Sequence, residues 1–287
     1  MAKLELKLTA NVDGNYYVDS TCIDCDVCRK FAPDVFGKAD DHAFVKKQPQ
    51  TANEVLSTHQ ALLSCPTASI GSVQKVDLKT AHGSLPMRLT DNVFLNGFNA
   101  RDSYGSDSYF IQSPKGNWLV DSPRFTKTLT DKFSLMGGVK YILLTHKDDV
   151  ADASLYARHF QAKRIIHKFD SDSQNDAEMI LTGDADLDIN EARIIYTPGH
   201  TQGHLTLLWD EKYLFTGDHF AWSSAKNQFG SFKDYCWYSW EIQICSVEKL
   251  KECVNVEWVF PGHGHRKSVA KGTFPEVIDK AVARMKQ

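Results

Sequence analysis

The residues of this 287-residue chain best suited to chemistry are a set of cysteines near its start and a set of histidines and aspartates further on. Three cysteines fall in one short run, Cys22-Ile23-Asp24-Cys25-Asp26-Val27-Cys28, and a fourth in Ser64-Cys65-Pro66. Three thiolates at this spacing wrap one corner of an inorganic cube, and a distant cysteine closes the fourth vertex. Soft thiolates suit iron–sulfur clusters or zinc. Zinc sites usually space their ligands as two pairs, so three plus one favours the cluster. Disulfides fit poorly, because cysteines three apart in one tight loop rarely bridge and seven cysteines leave one over. The second set centres on Thr197-Pro198-Gly199-His200-Thr201-Gln202-Gly203-His204. Its two histidines each follow a glycine, which lets the backbone turn sharply and approach an ion. Neutral imidazole is the commonest protein metal ligand.

Such groups act together only if the chain brings them to one place. The apolar runs 192–196 and 205–209 on either side of the histidine loop read as strands. Segments 93–95, 108–111, 118–121, 141–146, 164–167, 212–218 and 256–263 read as further short strands, and 152–160 as a helix. Strands alternating with helices imply a layered α/β domain. Four strand ends then carry His146, His200, Asp218 and His263, and ligands from separate strand ends can converge on one ion held by a rigid sheet. Nearer the start, 51–63 reads as a helix with Thr51 as N-cap and Glu54 as its capping-box partner. Residues 71–84 form a polar connector, giving two domains, 1–80 and 85–287.

Composition narrows the possibilities. A net charge of −3 shows no footprint for nucleic acid or an anionic membrane surface. No run of 18 apolar residues is present, so no membrane span is expected. The alternation in Met1-Ala2-Lys3-Leu4-Glu5-Leu6-Lys7 reads as an edge strand rather than a secretory signal. Residues 170–188 are acidic and read as a solvated face, or as a docking surface for a basic redox protein. Cys236, Cys245 and Cys253 read as ordinary buried thiols. The aromatic run Cys236-Trp237-Tyr238-Ser239-Trp240 reads as core packing, with a pocket wall as the alternative.

At the level of families, residues 16–70 resemble a single-cluster bacterial ferredoxin. The matching features are Cys22, Cys25 and Cys28, the following Ala32-Pro33-Asp34-Val35-Phe36, and Cys65-Pro66-Thr67-Ala68-Ser69-Ile70. The resemblance implies one [4Fe-4S] cluster on Cys22, Cys25, Cys28 and Cys65. The remainder is similar to the metallo-β-lactamase superfamily, in particular its glyoxalase II-like members. That likeness rests on Leu143-Leu144-Thr145-His146, the 197–204 loop, Leu214-Phe215-Thr216-Gly217-Asp218 and Phe260-Pro261-Gly262-His263. Together they imply an α+β ferredoxin-like iron–sulfur domain followed by an αββα sandwich with a metal centre at one edge. By position, His146, His200 and His263 would be ligands, Asp218 would bridge two ions and serve catalysis, and His204 would support the site.

The departure from the family is informative. Its first motif is usually His-x-His-x-Asp-His, and here the chain reads His146-Lys147-Asp148-Asp149-Val150-Ala151-Asp152-Ala153. One imidazole of a second metal site is missing. If the helix starts early, Asp148 and Asp152 lie four apart on one face and both point at the metal, with Asp149 rotated away. A carboxylate-rich site suits iron or manganese better than zinc. Diiron members of the superfamily that reduce oxygen or nitric oxide also carry a carboxylate in this slot and receive electrons from a fused redox domain. The expected function is therefore a cluster-fed, metal-dependent oxidoreductase acting on a small molecule, with iron, zinc or manganese in the second site. The alternatives are a metal-dependent hydrolase of a thioester or related ester, and a non-enzymatic electron carrier or redox sensor. Reducing surroundings follow from the cluster, in the cytoplasm or a reducing organelle.

Overall fold

The structure is a computed structural model that describes residues 2–287. The chain packs as two compact units. One runs up to Gln112 and takes in Pro123–Gly138, and the other comprises Ser113–Ser122 and Val139–Gln287. The sequence boundary near residue 80 marks the end of the cysteine motif, whereas these units mark where the chain packs.

The first unit contains strands β1 (Tyr16–Val18), β2 (Phe36–Ala39), β3 (His42–Val45), β4 (Ile70–Ser72), β5 (Met87–Arg88), β6 (Val93–Leu95) and β7 (Tyr109–Ile111). Its helices are α1 (Val27–Phe31), α2 (Ala52–Ser64), α3 (Lys79–Ser84) and α4 (Lys127–Leu135). β1 pairs antiparallel with β4, β2 with β3, and β5, β6 and β7 follow one another antiparallel. Helix α2 starts with the expected capping box, in which the Thr51 hydroxyl accepts from Glu54 N and the Glu54 carboxylate accepts from Thr51 N. The connector is not featureless, since α3 occupies its second half and buries Ala81. Residues Leu4–Leu6 form a 3-10 turn rather than an edge strand, with Leu4 and Leu6 exposed and a single bridge from Lys7 to Asp19. Alternation without a paired neighbour gives no strand, because the ladder hydrogen bonds have no partner.

The second unit contains β8 (Trp118–Val120), β9 (Tyr141–Leu143), β10 (Lys163–His167), β11 (Met179–Leu181), β12 (Leu187–Ile189), β13 (Ala192–Tyr196), β14 (Leu205–Trp209), β15 (Tyr213–Gly217), β16 (Ala221–Ser223), β17 (Gln228–Gly230), β18 (Trp258–Pro261) and β19 (Lys267–Ser268). Its helices are α5 (Ala153–Phe160), α6 (Trp240–Lys249) and α7 (Phe274–Met285). β8, β9, β10 and β11 run parallel, while β12, β13, β14, β15, β18 and β19 form a second, mixed sheet. Every residue of β14 is buried, as a strand covered on both faces requires. Trp118 and Trp209 meet edge to face at 6.2 Å between the sheets. Helix α5 buries Ala153, Tyr156 and Ala157. Helices α6 and α7 close the other side, with Ile244, Val247 and Ile278 packed against Ile195, Leu208, Leu214 and Val259. The layers are therefore helix, sheet, sheet, helix, and the carboxyl ends of β9, β15 and β18 lead directly into His146, Asp218 and His263.

Candidate metal centre

In the first unit, Cys22, Cys25, Cys28 and Cys65 line one pocket and none is bridged. The loop carrying them curls tightly, with Asp24 and Asp26 both at positive φ, and α1 begins right after it. Backbone amides point at the sulfurs. Asp24 N and Ala43 N donate to Cys22 Sγ at 3.5 and 3.4 Å, and Ser69 N donates to Cys65 Sγ at 3.3 Å. Burial pushes the Cys25 thiol up to about 12 and Cys28 well above its ordinary value. Such thiols are inert by themselves and lose their protons when a metal takes their place. Four convergent free thiols with amide donors aimed at sulfur form the donor set that an iron–sulfur cluster takes.

In the second unit, three loops converge. His146 follows β9 and is fully buried, and its ring centroid lies 4.7 Å from that of His200 in the β13–β14 loop. Nε2 of His146 stands 3.8 Å from Asp218 Oδ2 and 4.0 Å from both Asp148 Oδ2 and Asp149 Oδ2. Nε2 of His200 stands 3.9 Å from Asp148 Oδ2 and 3.9 Å from Asp218 Oδ2. These gaps are too long for hydrogen bonds, and among the described residues neither buried Nε2 has a hydrogen-bond partner. Two ligands each about 2.1 Å from one ion, at angles of about 110–140°, are separated by roughly 3.4–4.0 Å. The residues present thus fit a metal ion, with two orphaned imidazole nitrogens and carboxylate oxygens at the required spacing.

Electrostatics favours the same state. Burial, reinforced by His200, pushes His146 down to about 3, so it is neutral and its lone pair is available. Burial would raise Asp218, but the hydrogen-bonded His263 and the other histidines overrule it and hold the carboxyl well below the usual range. A carboxylate only accepts, so His263 donates through Nδ1 to Asp218, at 2.9 and 2.8 Å from its two oxygens. His263 therefore reaches the centre through Asp218. Asp148 is half exposed at the mouth, and burial of its other half raises its carboxyl.

Two supporting residues, Thr145 and Asp121, had no role in the sequence reading. Thr145 Oγ1 lies 3.0 Å from His146 Nδ1 and 2.9 Å from Asp121 Oδ2. Nδ1–H donating to the hydroxyl, and the hydroxyl to an Asp121 oxygen, leaves the lone pair on the nitrogen that faces the centre. Asp121 ends β8, so the strand-end signal used for the other four residues applied to it as well. Asp170 is buried rather than solvated. It accepts from Lys147 N at 3.2 Å, Thr201 Oγ1 at 2.5 Å and Gly203 N at 3.0 Å, joining the His146 and His200 loops. His204 and His219 are fully buried, with ring centroids 5.0 Å apart, and His204 Nδ1 lies 3.1 Å from Thr197 Oγ1.

The aspartates after His146 differ from expectation. Lys147–Asp149 is a 3-10 turn and α5 begins only at Ala153, so Asp148 and Asp152 do not share a helical face. Asp149 instead comes within reach of His146 and Asp218, and Asp152 serves as the N-cap residue of α5. His265 lies outside the group and meets Ser224 Oγ at 3.1 Å. Of the three remaining cysteines only Cys253 is buried, while Cys236 is half-buried and Cys245 exposed. Trp237 is 61% exposed rather than part of a core, although its amide is fixed to His200 O at 2.9 Å.

Comparison with known proteins agrees with the cysteine site and with the fold of the second unit. Residues 18–72 match the family model for the 4Fe-4S single cluster domain of Ferredoxin I, which implies an iron–sulfur cluster. The metallo-β-lactamase from Hirschia baltica superposes with a TM-score of 0.53 at 14% identity, covering 69% of this chain and 95% of that one. A single-cluster ferredoxin domain is joined here to a metallo-β-lactamase fold. Among curated relatives, the beta-lactamase-like protein 2 homolog of Caenorhabditis elegans is 26% identical over 201 residues, 63% of this chain and 59% of the relative. Hydroxyacylglutathione hydrolase of Pelagibacter ubique (strain HTCC1062) is 31% identical over 140 residues, 46% of this chain and 55% of the relative. The chain thus spans less than two thirds of each. No helix among the described residues is long and apolar enough to cross a membrane.

Proposed function

We propose that the chain is a metal-dependent oxidoreductase in which the ferredoxin domain supplies electrons and the metallo-β-lactamase-fold domain uses them on a small molecule. The observation that carries this reading is the pairing, in one chain, of a four-cysteine cluster site with a site of two imidazoles and three carboxylates. His146 and His200 would hold one ion with Asp148, Asp149 and Asp218, and Cys22, Cys25, Cys28 and Cys65 would hold the cluster. Carboxylates make the ion site hard, which suits iron better than zinc, and a bound iron supplies one-electron chemistry that zinc lacks. His263 keeps Asp218 ionised and oriented. Asp148, half exposed, would hold the ion from the mouth of the site. Thr145 and Asp121 fix the His146 ring.

The experiment is anaerobic metal analysis followed by loading with iron or zinc and chemical reduction of the cluster. Reoxidation that needs iron in the second site and disappears in His200→Ala is the expected result. The relative that acts as a hydroxyacylglutathione hydrolase favours a second reading, thioester hydrolysis with the carboxylates orienting water. Zinc-loaded, cluster-free protein that hydrolyses thioesters would establish that reading and end the first.

A further inference from the structure

The first unit contains a buried ion pair that the cysteine motif does not require. Lys30 Nζ lies 2.9 Å from Asp107 Oδ2, with side chains only 2% and 1% exposed. Lys30 sits on α1, the helix that carries Cys28. Asp107 belongs to the β6–β7 loop, which closes on the cysteine loop. A Cβ on Gly105, at φ +83°, would lie 2.8 Å from Cys25 Cβ and 3.0 Å from its Sγ, so no larger residue fits there. The Tyr104 hydroxyl donates to Ile23 O at 2.5 Å. The Asn99 amide donates to Gly105 O, Ser106 O and Asp107 Oδ1 at 3.0, 2.8 and 2.9 Å, holding both the close approach and the carboxylate. Lys30 follows Cys28 by two residues on α1, and Asp107 follows Gly105 by two in the loop that meets Cys25, so the ion pair sits beside two of the cluster ligands.

A buried ion pair contributes little to stability relative to an apolar pair of similar size, because desolvation offsets the attraction. Its distinctive contribution is a fixed charge in a low-dielectric setting. Cluster potentials are set by net charge, hydrogen bonds to sulfur and exposure. We propose that the Lys30–Asp107 pair tunes the reduction potential of the cluster. This rests on the reading that Cys22, Cys25, Cys28 and Cys65 hold a [4Fe-4S] cluster. Reduction by a one-electron donor takes the core from 2+ to 1+ and adds one negative charge with no bond made or broken. The Lys30 ammonium stabilises that added charge, Asp107 opposes it, and Asn99 fixes the carboxylate so that the balance is constant.

The test is a mediated redox titration of the full-length, cluster-loaded protein under anaerobic conditions, followed by absorbance and electron paramagnetic resonance. Lys30→Met should lower the potential and Asp107→Asn, which keeps an acceptor for Asn99, should raise it. Each shift should approach a tenfold change in the reduction equilibrium, which is 59 mV for one electron. The double variant should fall between the two. Single variants that match the parent, or that shift in the same direction, overturn the proposal. If Lys30→Met does not fold, the proposal stands only if Asp107→Asn lies above both parent and double variant. A parent without a four-iron signal removes the cluster reading and this inference together, whereas a normal signal with unmoved potentials removes the tuning role alone.

Discussion

Replacing Asp170 by alanine separates a solvated acid from a buried strut between two ligand loops. The substitution removes three hydrogen bonds, from Lys147 N, Thr201 Oγ1 and Gly203 N. A hydrogen bond to a charged acceptor contributes about 1.5–3 kcal/mol, and stranded buried donors add a desolvation cost. Set against this, a buried carboxylate no longer has to be desolvated, so the expected net loss is about 3–5 kcal/mol. Asp170→Asn keeps one acceptor and should lose about half as much. All six tryptophans, residues 118, 209, 222, 237, 240 and 258, lie in the second unit, so their fluorescence follows that unit alone. With a urea slope of about 2 kcal/mol per molar, the midpoint for Asp170→Ala should fall by about 1.5–2.5 M. Metal affinity should fall roughly 10–100-fold in both variants, as for other residues that orient ligands. A stability change within about 0.5 kcal/mol, the usual range for surface substitutions, would refute the strut.

Two further outcomes are expected. Burial lowers His146 and His219 to about 3 and His204 well below its ordinary 6.5, while burial raises Asp121 to about 8. Below pH 6.5 the unfolded chain binds three protons on these histidines that the native state refuses, against one that native Asp121 already holds. Metal-free stability should therefore fall with decreasing pH there, by a few kcal/mol per unit. Between pH 6.5 and 8 the native Asp121 holds a proton that the unfolded chain has lost, and stability should fall as pH rises by about 1 kcal/mol per unit. Urea midpoints across pH should peak near 6.5, and Asp121→Asn should remove the alkaline arm. Separately, Cys65→Ser should reduce cluster iron from about four per chain to about three or fewer, read by iron analysis and paramagnetic resonance.

Most of this organisation is legible in the residues. The four cysteines announce themselves by spacing, and the structure brings all four to one pocket. Strands β13 and β14 were readable to the residue because unbroken apolar runs flank a glycine loop, whereas β9, β15 and β18 end at Leu143, Gly217 and Pro261, short of the His146, Asp218 and His263 at which the sequence pattern ends them. What stayed hidden depended on three-dimensional context. Asp170 looked solvated because its neighbours are acidic, but one turn of backbone folds it under two loops. The aspartates after His146 were misplaced because a 3-10 turn and an α-helix rotate successive residues by different angles, and the sequence does not say which forms. Trp237 looked like core because aromatics usually are, yet its backbone is fixed to His200 while its ring stays outside.

The two sites also differ in how far apart along the chain their residues lie. The cluster cysteines fall between residues 22 and 65, three of them within one turn of loop, whereas the centre of the second unit draws on residues 146 to 263. Closing a short loop costs little entropy, and distant residues meet only after the intervening chain has ordered. During synthesis from the N-terminus, the cysteine loop emerges and can capture iron before His200, Asp218 and His263 exist as a group. Cluster assembly is then an early, local event, while the second ion must wait for an almost finished sandwich. Iron starvation during expression should accordingly leave its mark first on the folding of the early domain, and the later centre should accept its ion from solution after folding is complete.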